Sequence, residues 1–78
     1  MDKTSEPRER IVKSSLLQSY TYNDKDLTLS VVFRDGTSVD YFNIPPPVMS
    51  NVFDRPGSIG RRFVTQIVRG DYRHEKTS

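Results

Sequence analysis

The stretch Ser58-Ile59-Gly60-Arg61-Arg62-Phe63-Val64-Thr65-Gln66-Ile67-Val68-Arg69-Gly70 decides the fold. With side chains set roughly 100° apart around a helix, Ile59, Phe63, Val64, Ile67 and Val68 fall on one arc. Arg61, Arg62, Thr65, Gln66 and Arg69 fall on the other. Ser58 suits the N-cap, because its hydroxyl accepts from a backbone N–H that the first turn leaves unpaired. Gly70 stands where a left-handed residue is expected to close the helix. The apolar arc has to be buried against something upstream. The arginine arc does not, so it raises the question of a partner.

Upstream of this helix the pattern changes to strands. Val12 to Tyr22 alternates loosely and ends in Tyr20-Thr21-Tyr22, which favours an extended chain. Asn23-Asp24-Lys25-Asp26 carries turn chemistry, since Asn and Asp side chains bond their own backbone. Leu27, Leu29, Val31 and Phe33 then alternate with polar residues, and Asp35-Gly36 is the strongest hairpin signal in the chain. Val39 and Tyr41 continue inward on a third strand, while Ser38, Asp40 and Phe42 point the other way. Pro45-Pro46-Pro47 ends that strand and opens a short helix whose apolar face is Val48, Met49, Val52 and Phe53. Pro56-Gly57 stops it. The expected fold is α+β: a three-stranded antiparallel β-meander followed by two short helices packed on one face, in the order β-β-β-α-α.

Composition narrows the function classes. Seventy-eight residues make one domain, expected to fold over residues 11–72, with a disordered polar leader at 1–10 and a disordered tail at 73–78. There is no cysteine, and the one histidine, His74, sits in the tail. No metal site, cofactor or catalytic residue is therefore expected, and the chain reads as a non-enzymatic binding domain. No apolar run approaches the roughly 20 residues of a membrane span, so a cytoplasmic monomer or weak dimer is expected. The net charge of +2 conceals an asymmetry: residues 55–78 carry six basic and two acidic side chains, residues 1–54 six basic and eight acidic. A basic C-terminal third favours polyanions.

Several residues in order resemble the KTSC domain family, a short module found at the C-terminus of some lysyl-tRNA synthetases and alone in bacteria and phages. They are Val12-Lys13-Ser14-Ser15, Tyr22, then Leu29, Val31 and Phe33 before Gly36. Tyr41 with Ile44-Pro45 follows, then Ser58-x-Gly60 with Phe63, Ile67, Arg69, Gly70 and Tyr72. The family's central Tyr-x-Tyr stands here as Val39-Asp40-Tyr41. The resemblance implies an RNA- or tRNA-associated role.

Two sets of candidate site residues result. Gly60, Arg61, Arg62, Arg69 and Arg73 form the nucleic-acid set. Arginine forks bond two phosphate oxygens at once, and the Gly57–Gly60 turn presents helix-start amides to an anion. The competing readings are a solvated helix face and an inter-helix turn that needs flexible glycines. Leu17, Val32, Arg34 and Phe42 form the second set, an outward patch for a protein partner such as a host RNA polymerase bound by a phage-type regulator. The family resemblance tips the expectation to RNA or tRNA, with the protein-binding regulator as the alternative.

Overall fold

The computed structural model describes residues 9–77. Among these, five strands form one antiparallel sheet in chain order: β1 (Arg10–Ile11), β2 (Leu17–Asn23), β3 (Thr28–Phe33), β4 (Ser38–Tyr41) and β5 (His74–Lys76). Helix α1 (Pro46–Phe53) and helix α2 (Ile59–Phe63) lie between β4 and β5, and α2 runs straight into a π-helical turn, Val64–Val68. No helix among the described residues is long and apolar enough to cross a membrane.

The central meander forms where turn chemistry places it. At the first turn the Asn23 side-chain oxygen accepts from the Lys25 amide at 3.0 Å, and Leu27 closes the hairpin with φ of 57°. At the second, the Asp35 carboxylate accepts from the Thr37 amide at 2.9 Å, while Gly36 supplies φ of 92°. That hydrogen bond also holds the Asp35 carboxyl below its ordinary pKa. Pro46 and Pro47 occupy the first positions of α1, where a missing N–H costs nothing.

Helices cover one face of the sheet, and the core lies between. Leu29, Val31 and Tyr41 come from the strands, Met49 and Val52 from α1, and Phe63 and Ile67 from the last helix. Phe63 is fully buried and meets Phe33 and Tyr41 edge to face, with ring centroids 5.8 and 5.7 Å away. Such contacts add to the area each ring buries. Tyr20 stacks on Phe53 at 3.9 Å, and the Tyr22 hydroxyl donates to the Ile44 carbonyl at 2.6 Å. Burial raises the Tyr20 and Tyr41 phenols above their ordinary pKa. The four aromatics Tyr20, Tyr22, Phe33 and Tyr41 thus serve the packing between sheet and helices.

Three expectations about the sheet and its ends need correction. The sheet has two strands more than expected, one at each end. Arg10, assigned to a disordered leader, pairs with Tyr20, and Ile11 with Ser19; residues 1–8 of that leader lie outside the described residues. His74–Lys76, assigned to a disordered tail, pairs with Val39–Tyr41 and supplies partners to an edge that β4 would otherwise leave open; Ser78 lies outside the described residues. These edge segments are short and bury almost nothing, which is why hydrophobic alternation misses them.

The last helix departs from regular geometry. The Arg69 amide donates to the Val64 carbonyl at 3.0 Å, five residues back, so the turn is wider than an α-turn. That rotates Val68, expected inward, until it is 48% exposed. The left-handed residue at the helix end is Asp71, with φ of 64°, and not Gly70. Gly70 is needed for closeness instead: a Cβ there would sit 2.4 Å from the Gln66 carbonyl oxygen and 2.7 Å from the Tyr72 ring.

Replacing Phe63 by alanine removes the ring on which sheet and helix meet. We expect the loss of about 3–5 kcal/mol, a large share of the stability of a domain this size. Urea unfolding followed by circular dichroism measures it, and a loss under about 1 kcal/mol would contradict the packing described.

Candidate functional site

The arginines of the last helix divide into two kinds. Ser58 caps α2 as its chemistry implies, its hydroxyl accepting from the Arg61 amide at 3.2 Å. Arg61 then points outward, followed by Thr65, Val68 and Arg69, all exposed. Neither Arg61 nor Arg69 has a hydrogen bond or ion pair through its guanidinium among the described residues. Arg69 does not pair with Asp71 or Asp40. Two forked cations therefore stand on one side of the helix with their hydrogen-bonding capacity unused.

Arg62 is different, and here the expectation of a water-facing phosphate ligand is corrected. Its Nε donates to the Val52 carbonyl at 3.2 Å and Nη1 to the Pro56 carbonyl at 2.8 Å, while Nη2 donates to the Arg55 carbonyl. All three acceptors belong to the end of α1 and the link that follows it. The side chain is long enough to turn back over Gly57, where a Cβ would approach Nη1 to 3.2 Å. Arg62 fastens one helix to the next and has little left for a ligand.

Gly60, expected in an anion-facing turn, is instead buried. A Cβ at Gly60 would lie 2.9 Å from the Ser14 hydroxyl and 3.4 Å from Leu16 Cβ, so the glycine lets α2 press against the segment between β1 and β2. Ser14 shapes that segment, its hydroxyl accepting from the Leu16 amide at 3.1 Å. The sequence pairs Lys13-Ser14-Ser15 with Ser58-x-Gly60 only as distant motifs; the fold makes them neighbours.

The outward apolar patch does not survive as expected. Leu17 is fully buried, because the register slips between Leu17 and Ser19: Leu17 faces Phe33, Ser19 faces Val32, and Gln18 is the extra residue of a bulge. Arg34 is a structural clamp, its Nε donating to the Ser14 carbonyl at 2.9 Å and its Nη2 to the Val12 carbonyl at 3.2 Å. Val32 and Phe42 remain on the open face of the sheet, half-buried and apart from the other two. Ser19, also on that face, is buried and donates its hydroxyl to Glu9 at 2.6 Å.

Phe42 has other company, which sequence reading missed. Its amide donates to the Arg73 carbonyl at 2.9 Å, extending the β4–β5 ladder by one step. Phe42, Asn43, Asp26, Arg73 and Glu75 line an open groove of about 370 Å³ at that corner of the sheet. Asn43 adopts φ of 60°, a conformation asparagine tolerates better than most residues, and this was the one local signal available. Among the described residues no group of three or more His, Asp or Glu side chains is placed to hold a metal ion.

The split among the arginines is directly measurable. Arg62→Lys keeps the charge but loses the fork, and we expect a destabilisation of about 1–3 kcal/mol from the forfeited charge-assisted bonds. Arg61→Lys should leave the urea midpoint unchanged. Equal midpoints for the two variants would show that the clamp contributes nothing.

Comparison with known proteins agrees with this fold. A lysine–tRNA ligase from Nostoc punctiforme is 29% identical over 66 residues, which is 85% of this chain; the chain spans only 11% of that enzyme's length. The crystal structure of a KTSC domain protein from Yersinia pestis superposes with a TM-score of 0.80 at 25% identity, covering 94% of this chain and all of the other. The KTSC domain itself matches residues 13–72, taking in the Ser14 segment, the meander and both helices. The chain belongs to the KTSC domain family.

Proposed function

We propose that this KTSC domain is a non-enzymatic module that associates with single-stranded or loop RNA, tRNA included, through the outward side of its last helix. The observation that carries the reading is the pair of unengaged guanidinium groups, Arg61 and Arg69, standing on either side of Thr65. Arginine forks suit phosphate oxygens, and two of them on one rigid helix fix a spacing that a flexible basic tail does not. Arg73 extends the set. It lies four residues beyond Arg69, so their Cα atoms are at most about 14 Å apart and one short strand can touch both. A relative that acts on tRNA and contains this domain is in keeping with such a partner.

A protein partner, for instance a host RNA polymerase engaged by a phage-type regulator, is the second reading. It now rests on Ile11, 77% exposed, which shares the open face of the sheet with Val32 through the paired positions Ile11–Ser19 and Ser19–Val32. Of the four residues first assigned to that patch, two are occupied in holding the fold together, so the RNA reading is preferred.

Fluorescence anisotropy with a short single-stranded RNA, run over a range of salt, tests the preference. Neutralising three phosphates on a single strand predicts a slope of log K against log salt of about −2. Arg61→Ala with Arg69→Ala should lower the affinity and bring the slope below about −1 in magnitude, with the urea midpoint unchanged. RNA binding that is absent, or that ignores both substitutions, would overturn the proposal.

A further inference from the structure

The groove at the corner of the sheet combines an aromatic ring, a carboxamide, two carboxylates and a guanidinium in one place, and none of these is used by the core. Phe42 follows Tyr41, the last residue of β4, so with Tyr41 buried its ring lies on the opposite, open face. Glu75 is the register partner of Asp40 and lies on that same face. Asp26 comes from the β2–β3 turn, where the Asn23 side-chain amide donates to its carboxylate at 3.3 Å and orients it. Asn43 and Arg73 complete the lining.

We infer that this groove receives one unpaired nucleobase of a bound strand, with guanine preferred; the inference rests on the RNA reading above and assigns it a base-recognition site. Three features converge. A half-buried aromatic ring at an open groove is a stacking platform that accepts any base face. The carboxylates accept hydrogen bonds but cannot donate them, so the groove excludes phosphate and favours a base edge rich in donors. Guanine presents N1–H and the N2 amino group side by side, which a carboxylate accepts together. Uracil presents one N–H between two carbonyl oxygens, and those oxygens repel a carboxylate. Asn43 both donates and accepts, and serves the remaining edge. Arg73 is the one cation among the described residues that line the groove, so the sugar–phosphate leaves on its side, toward Arg69 four residues earlier in the chain. The base then sits in the groove while the backbone runs onto the basic helix.

Titration of the labelled, intact chain with GMP and with UMP, followed by amide chemical shifts, tests this without any long RNA. GMP should shift the Asn43, Arg73 and Glu75 amides saturably, and UMP should bind about fivefold or more weakly. Phe42→Leu, which keeps an apolar side chain, should weaken GMP by about fivefold or more. Exposed Asp26→Asn should erase the difference between GMP and UMP while the fold stays intact. Absent groove shifts, or equal affinities that neither substitution alters, would overturn the inference. The two readings fail separately. Salt-dependent RNA binding through Arg61 and Arg69 with a silent groove sinks only the base site, whereas GMP in the groove without that dependence sinks only the helix interface.

Discussion

A single guanidinium group ties the two helices of this domain to each other. Helix α1 has eight residues, and α2 with its π-turn has ten, both below the length at which a helix persists alone in water. Each depends on being fixed to something else. Arg62 collects three carbonyl oxygens at the end of α1 and beyond it, so the last turn of one helix is tied to the first turns of the next. With α2 so placed, Gly60 meets the Ser14 segment and Phe63 reaches the rings of Phe33 and Tyr41. A second arginine, Arg34, works the same way on the segment that α2 meets, gathering the Val12 and Ser14 carbonyls. In a chain without disulfides, long side chains bonded to loop backbone stand in for staples.

Much of the fold was legible because its turns speak in local chemistry. Asn23, Asp35-Gly36, the proline run and Ser58 act over two or three residues, and each forms the feature its side chain implies. The features that escaped are settled by partners distant in sequence. The strand at His74–Lys76 exists because β4 offers an open edge, and no periodicity in three exposed residues announces it. Leu17 turned inward because the ladder slips at Gln18, and one slipped residue exchanges the two faces of a strand. Val68 turned outward because the helix widens beneath it. Neither a bulge nor a π-turn alters the pattern that a regular wheel or alternation is read from.

The candidate site was legible in the same uneven way. A helical wheel places Arg61, Arg62 and Arg69 together by angle alone, yet it says nothing of where a side chain of seven heavy atoms ends. Arg62 ends on the link behind it, while the Arg61 and Arg69 guanidinium groups have no partner among the described residues. The corner groove was invisible for a different reason, since Asp26, Phe42 and Glu75 belong to three separate segments that only the β2–β3 turn and the β4–β5 ladder bring together. The surface proposed for RNA is narrower than the basic third of the sequence, and as proposed it continues from the helix through Arg73 to the open face of the sheet.

The division of labour among the arginines is the claim on which this account stands, and the guanidinium Nε–H resonances read it directly. In nitrogen-15 spectra of the free domain, the Arg62 Nε–H should be displaced and protected from exchange with water, while those of Arg61 and Arg69 exchange rapidly. On addition of single-stranded RNA the latter two should shift and sharpen while Arg62 stays still. An Arg62 signal that exchanges as fast as the others, or that moves with RNA while they do not, would contradict the account.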